Sequence, residues 1–308
     1  MLIMMNKVLI ILGQTAVGKS KLAMELAGKL DGEIISADSM QVYIGMDIGT
    51  AKPTKKELEE VPHHLVNVIA PDKTWSVSDF VSNAKTIIED IINRGKLPIV
   101  VGGTGLYLNA LIEGYDFPLI QADPEIRKRL EGEAKSFGSG HLYEKLKKSD
   151  PDAASKIHFN DTKRIIRALE VIELTGKPMS QAQTKNENNL PYELVIIGLE
   201  MDRKKLYERI EERVDQMLEA GLMDEVRNLI KEGFDDKLSS MQAIGYKEVA
   251  EHLRGKYSHE EMVNILKQNT RNFAKRQMTW FRRFKNVKWF DVEKFSTNAI
   301  IEQVKKEA

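Results

Sequence analysis

The stretch Gly13–Ser20 reads GQTAVGKS and satisfies G-x-x-x-x-G-K-[ST] in full. Gly13 and Gly18 permit backbone angles that a β-carbon forbids. The N–H groups of Gln14, Thr15, Ala16, Val17, Gly18, Lys19 and Ser20 can therefore converge on phosphate oxygens, with the start of the following helix adding its positive end. Lys19 would neutralise a terminal phosphate, and the Ser20 hydroxyl would ligate Mg²⁺ directly or through water. Such a loop asks for a diphosphate or triphosphate, ATP included, and does not choose between them.

Asp38 falls just after the second apolar run, where the carboxyl ends of parallel strands open onto a ligand crevice. Its carboxylate should face the same cleft as the loop, as a base or a magnesium carboxylate. Thr104, in GGTGLY, follows the third strand and has two compatible readings: a hydroxyl aimed at a base or phosphate, or a helix N-cap. Arg213 lies four residues after Arg209 on an amphipathic helix and by composition is a solvated arginine. Arg164 and Arg167 sit three apart and could grip an RNA backbone or, like a lid, a phosphate. In TRNFAKRQMTWFRRFK, Arg271, Lys275 and Arg282 share a helical face, while Phe273, Trp280, Phe281 and Phe284 form a displaced stripe read as core. The adjacent pair His63 and His64 lacks a third ligand, so no zinc site is expected. Thirteen scattered methionines read as core or helix filler.

The elements that must position these groups follow from patterning. KVLIIL, EIISAD and LPIVVGG are buried-strand runs separated by helices at Lys19 to Leu30 and about Ser78 to Arg94. That alternation predicts an α/β fold: a phosphate-loop core whose parallel sheet is covered by helices. Residues 1–117 are read as the first part of this core. From 118 to 190 the chain turns charged, with turn signals at ADPE, FGSG, SDPD, LTGKP and KNENNLP, and predicts a small all-helical insertion. Residues 191–308 then return to the core through ELVIIGLEM, long amphipathic helices and a late strand in NVKWFDV.

Composition sets bounds. The 308 residues are 42% hydrophobic, enough for a sizeable core, and Lys+Arg and Asp+Glu both number 46. Any surface for a polyanion must come from uneven distribution of that charge. With no cysteine there is no disulfide, thiolate metal site or thiol nucleophile. The apolar start is short and runs straight into the loop, and no run reaches transmembrane length, so a cytoplasmic protein with no membrane partner is expected. A monomer is expected too, since no apolar heptad seam is evident.

Seven stretches, DSMQVY, GMDIGTAKP, VPHHLVNV, VVGGTGLYLNAL, RIIRALEV, AIGYKE and TRNFAKRQMTWFRR, follow in an order that resembles the tRNA dimethylallyltransferases, or tRNA isopentenyltransferases, from about Val8 to Trp289. The resemblance implies that Gly13 to Ser20 cradles the diphosphate of dimethylallyl diphosphate, helped by Arg213, with Mg²⁺ on Ser20. It implies transfer of the dimethylallyl group to the exocyclic amine of the adenosine 3′ of the anticodon, in tRNAs reading codons that begin with U. Lys19, Asp38 and Thr104 then serve catalysis, Asp38 as the proton acceptor. Asp38, Ser39, Met40, Gln41, Thr104, Arg127, Arg164, Arg167, Arg271 and Lys275 would meet the tRNA anticodon stem-loop. Rival readings are a small-molecule kinase, an adenylate isopentenyltransferase and a non-catalytic RNA-binding module; the last leaves the intact loop beside Asp38 without a purpose.

Overall fold

The computed structural model describes residues 6–116, 123–182, 184–185 and 190–307. Two compact units emerge, one of Met1–Ile112 with Pro191–Ala308 and one of Glu113–Leu190.

The first unit runs β1 (Lys7–Gly13), α1 (Lys19–Leu30), β2 (Gly32–Ser36), α2 (Lys55–Glu60), β3 (His63–His64), α3 (Val77–Asn93), β4 (Leu97–Gly102) and α4 (Gly105–Ile112). The second contains β5 (Tyr115–Asp116), α5 (Pro124–Phe137), α6 (Ser139–Ser149), α7 (Pro151–Lys156), α8 (Thr162–Thr175), α9 (Met179–Ala182) and β6 (Thr184–Lys185). The chain then completes the first unit with β7 (Glu193–Glu200), α10 (Arg203–Glu219), α11 (Leu222–Lys231), α12 (Tyr246–Leu253), α13 (His259–Phe281), β8 (Lys288–Asp291) and α14 (Thr297–Glu307).

Six strands form one sheet in the order β3-β2-β4-β1-β7-β8, and every pairing in it is parallel. Central strands β1, β2 and β4 are buried along nearly their whole length, as strands sheltered on both faces must be. On one side Leu9, Ile11, Ile34, Ile99 and Ile197 pack with Leu22 and Leu26 of α1 and Ile300 and Ile301 of α14. A second core joins Val42, Tyr43 and Met46, from the long loop after β2, to Val214, Leu222, Tyr246, Val249 and Met262 of α10 to α13. The strand at His63–His64 escaped the sequence reading because two half-buried residues carry no alternation.

Inside the second unit, the turn signals ADPE, FGSG, SDPD and LTGKP became helix boundaries, while KNENNLP lies mostly outside the described residues. Asp123 caps α5 ahead of Pro124, Asp150 caps α7 ahead of Pro151, and Gly176 ends α8 in the left-handed conformation at φ 68. Leu130, Leu142, Leu146, Ile165 and Leu169 make its core. The expectation of an all-helical unit needs one correction: β5 and β6 pair antiparallel where the chain enters and leaves it. Two-residue strands fall below what a period-2 pattern can reveal.

Candidate active site

At the carboxyl end of the sheet, a cavity of about 580 Å³ is lined by Thr15, Lys19, Ser20, Asp38, Thr104, Arg213, Phe273, Arg276 and Gln277, among others. Every one of these belongs to the first unit. The strand ends approach closely enough that only glycine fits at two places. Gly13 has φ +153 and a Cβ there would lie 2.7 Å from the Leu199 carbonyl; a Cβ on Gly102 would lie 2.1 Å from the Ala37 carbonyl.

Gly18 caps α1 at φ 105 in the left-handed region, which turns the phosphate loop into the helix. The loop's backbone groups are not all available. Thr15 N–H donates to Gln277 Oε1 at 2.8 Å, and Val17 N–H makes a long 3.4 Å bond to the Gln14 carbonyl. The amides of Ala16, Gly18, Lys19 and Ser20 have no chain partner among the described residues, so these are the ones an anion can use. The side chains of Gln14 and Val17 face away from any ligand: Gln14 Nε2 donates to Ala274 O at 3.0 Å, and Val17 is 1% exposed in the core.

Lys19 Nζ donates to the Gln14 carbonyl at 2.8 Å. Burial, reinforced by the nearby positive charge of Arg213 and only partly offset by Asp38, lowers its pKa from 10.5 to about 7. Arg213 is lowered as well, first by burial and against the pull of Asp38. These couplings put the two cations and the carboxylate in one electrostatic neighbourhood. Here the compositional reading of Arg213 as a solvated surface residue is overturned.

Asp38 begins a tight turn in which its Oδ1 accepts from Met40 N–H at 2.8 Å and Gln41 N–H at 3.4 Å. Oδ2 has no partner among the described residues. Thr104 does not cap α4 with its hydroxyl. Instead Thr104 Oγ1 accepts from Ser39 N–H at 3.0 Å, tying the loop after β4 to the loop after β2. Gln41 is committed internally: Oε1 accepts from Ser36 Oγ at 2.8 Å while Nε2 donates to the Thr50 and Ala51 carbonyls, both at 3.2 Å. Met40 lines the cavity and packs on the second core. The loop beyond is held by Glu225, which accepts from the backbone N–H of Asp47, Ile48 and Gly49 at 3.0, 2.8 and 3.2 Å and from the Tyr246 hydroxyl at 2.6 Å.

Other expected residues lie elsewhere. Arg271 pairs with Glu211 at 2.6 Å and Lys275 is exposed. In the second unit, Arg127 and Arg167 both bind Glu170, which is fully buried, while Arg164 is exposed and pairs with Asp161 at 3.4 Å. Phe281 and Phe284 are core, but the reading of Phe273 as core fails: it is half-buried and lines the cavity. Trp280 packs over Gly105. His64 binds Glu33 at 2.8 Å and His63 Nδ1 donates to the Val61 carbonyl at 2.8 Å, with burial lowering the His63 pKa. Arg276 and Gln277 were missed, because helical periodicity read α13 as a basic face and an apolar stripe and gave no reason to single out either residue.

The donor set can be tested against a divalent ion. Ser20 sits at the exposed start of α1 on the cavity wall with Asp38, and no group of three or more His, Cys, Asp or Glu able to hold a metal occurs among the described residues. That set fits an ion like Mg²⁺, which takes one or two protein oxygens and draws its remaining ligands from phosphate and water. Nor is any helix among the described residues long and apolar enough to cross a membrane.

Fold and cavity together define an α/β phosphate-loop protein whose cationic loop end faces a carboxylate across one pocket. The family model described as IPP transferase matches residues 41–284, and one described as isopentenyl transferase matches residues 6–67. The chain belongs to the IPP transferase family. It is 51% identical to the tRNA dimethylallyltransferase of Acetivibrio thermocellus, over 98% of this chain and 97% of that one. With the enzyme of the same name from Carboxydothermus hydrogenoformans the identity is also 51%, over 99% and 98%. Among solved structures, the full-length tRNA isopentenylpyrophosphate transferase of Bacillus halodurans is similar at a TM-score of 0.72 and 48% identity, covering 98% of this chain and 95% of that one. A eukaryotic dimethylallyltransferase acting on tRNA is similar at a TM-score of 0.79 and 32% identity, over 97% and 78%.

Proposed function

We propose that this chain transfers a dimethylallyl group from dimethylallyl diphosphate to the exocyclic N6 amine of the adenosine 3′ of the anticodon, in tRNAs reading codons that begin with U, releasing diphosphate. The observation that carries the reading is the meeting, in one cavity, of Lys19 and Arg213 with Asp38 and Thr104. The cations suit a diphosphate leaving group and the carboxylate suits an amine that must lose a proton.

The amine nitrogen attacks the first allyl carbon, the bond from that carbon to the diphosphate oxygen breaks, and the amine proton passes to Asp38 Oδ2. The amine's lone pair is delocalised into the ring, so its proton becomes acidic only as the new bond forms. A base already oriented by Met40 N–H and Gln41 N–H on its other oxygen is therefore in place when needed. Negative charge developing on diphosphate meets Lys19, Arg213 and the amides of Ala16, Gly18, Lys19 and Ser20, which are fixed before the reaction and need no reorganisation. Ser20 would hold Mg²⁺, which when bound adds positive charge at the departing oxygens. The adenine reaches the pocket by leaving its stack, at a cost of about a few kcal/mol that an unpaired loop position keeps low. Arg276, with Phe273 beside it on the wall, offers a guanidinium and a ring face to the incoming nucleotide.

The experiment offers labelled dimethylallyl diphosphate with an unmodified anticodon stem-loop, with AMP, and with ATP plus small acceptors. Label moving to the stem-loop adenosine without ATP turnover supports the reading; label moving only to AMP, or phosphate moving from ATP, overturns it.

A further inference from the structure

Helix α13 carries a buried glutamine that the transfer chemistry leaves without a role. Gln277 is 4% exposed. Its Oε1 accepts the Thr15 N–H of the phosphate loop at 2.8 Å, and its Nε2 donates to the Gly103 carbonyl at 3.0 Å. One turn earlier, the Ala274 carbonyl accepts from Gln14 Nε2 at 3.0 Å, so the phosphate loop donates twice to α13, once from its backbone and once from a side chain. Gly103 precedes Thr104, whose hydroxyl holds Ser39 N–H beside Asp38. A Cβ on Gly103 would lie 2.2 Å from Gln277 Nε2, so the residue there must be glycine for the contact to form.

We propose that Gln277 is a positioning residue for the transfer reaction: one side-chain amide joins the loop that takes the diphosphate to the loop after β4, whose Thr104 holds Ser39 next to Asp38, and so sets the approach of the amine to the allyl carbon. The proposal rests on the prenyl-transfer reading above. Substrate affinity resides in groups Gln277 does not touch, namely Lys19, Arg213 and the amides of Ala16, Gly18, Lys19 and Ser20 for the donor. Alignment of the two halves depends on it. An amide serves both partners at any pH, since Thr15 N–H needs an acceptor and the Gly103 carbonyl needs a donor. A carboxyl group does so only while protonated, and burial favours that neutral form.

The test compares wild type with Gln277→Leu and Gln277→Glu. Single-turnover transfer at saturating dimethylallyl diphosphate and stem-loop should fall roughly 10- to 100-fold in Gln277→Leu, the scale of leaving a buried donor and acceptor unpaired. Dissociation constants for pyrophosphate and stem-loop should stay within about threefold of wild type, a loss confined to the chemical step. Gln277→Glu should approach the wild-type rate at low pH and lose it as pH rises. Lys19, Arg213, Arg276 and Asp38 line the same cavity in both proteins, so the ratio of variant to wild-type rate isolates the new carboxyl. Should Gln277→Leu fail to fold, the pH-dependent ratio for Gln277→Glu still decides.

Amide exchange supplies a readout independent of transfer. Peptides spanning Gly13–Ser20 and Gly102–Leu108 should both exchange faster in Gln277→Leu and in neither case for Lys275→Ala. That result stands even if wild type transfers nothing, an outcome that would remove the functional reading alone. Unchanged rates and exchange in both Gln277 variants, or a loss lying wholly in stem-loop affinity, overturns the proposal.

Discussion

Diphosphate binding should be accompanied by uptake of a proton on Lys19. With its pKa lowered to about 7 by burial and by Arg213, Lys19 is about nine-tenths neutral at pH 8. A diphosphate in the loop restores the ammonium, because an adjacent polyanion favours the charged form. Binding at pH 8 should therefore take up about 0.9 proton on this residue, and at pH 6 about 0.1. Above pH 7 the binding constant should fall by up to about tenfold per pH unit. Calorimetric titration of pyrophosphate in two buffers of different ionisation heat counts the protons, and Lys19→Met subtracts those taken up by pyrophosphate itself. Equal uptake by wild type and Lys19→Met at pH 8 would refute the reasoning.

The signs of the neighbouring charges sharpen the same experiment. Arg213 lowers the Lys19 pKa and Asp38 raises it. Accordingly, Arg213→Gln should move the onset of proton uptake to higher pH, and Asp38→Asn to lower pH. Stability follows the opposite pH dependence. The unfolded chain keeps this proton up to about 10.5 and the folded protein loses it near 7, so ligand-free stability should rise with pH between those values and be flat below them. Urea midpoints at pH 7 and 9, read against Lys19→Met, give that slope.

Three further outcomes are expected. Asp38→Asn should slow single-turnover transfer by roughly 10² to 10⁴-fold, the span for losing a general base, with pyrophosphate still bound; a near-normal rate would leave Asp38 as a turn-forming carboxylate only. Glu225→Ala should lower stability by about 3 kcal/mol, because three loop amides and the Tyr246 hydroxyl lose their acceptor, and thermal melting reads the change. Arg127→Ala should destabilise the Glu113–Leu190 unit by about 1.5 to 3 kcal/mol, whereas Arg164→Ala should leave its melting unchanged and reduce the salt slope of stem-loop binding by about one unit.

The phosphate loop, the parallel sheet and the turns at ADPE, SDPD and LTGKP were legible because each is written locally, as a fixed spacing, a run of apolar residues or a cluster of turn residues. Asp38 was legible through one further rule, that the carboxyl ends of parallel strands share a crevice. Arg276 was not, and Arg213 only through the family resemblance, since what distinguishes them is which turn of α10 or α13 passes the cavity, and that depends on packing between segments far apart in sequence. Gln277 had the weakest signal. Its partners, Thr15 and Gly103, are 262 and 174 residues away, and a polar residue between an arginine and a methionine on a charged helix looks ordinary until the helix is docked.

Selecting arginines for RNA by their number in a motif meets a physical limit in a chain of zero net charge, where Arg127, Arg164, Arg167 and Arg271 each pair with a carboxylate. What matters is whether the partner can release them. Arg271 is held by Glu211, whose side chain is 43% exposed. A pair of that kind is worth about 0 to 1 kcal/mol, so an RNA phosphate can replace Glu211 and leave its carboxylate in water. Arg127 and Arg167 are different, because Glu170 is fully buried and also accepts Asp123 N–H at 2.9 Å. Burial raises the Glu170 pKa, and the two arginines and the backbone bond outweigh it to bring the value below the ordinary range. Pulling either arginine away would leave the buried carboxylate with only the other arginine and Asp123 N–H, at a cost of about 1.5 to 3 kcal/mol that one exposed phosphate contact does not return. Arg127 can meet RNA only through the guanidinium donors Glu170 leaves unused. Its replacement should therefore be felt first in the folding of its own unit and only second in affinity, the reverse of the order expected for Arg271.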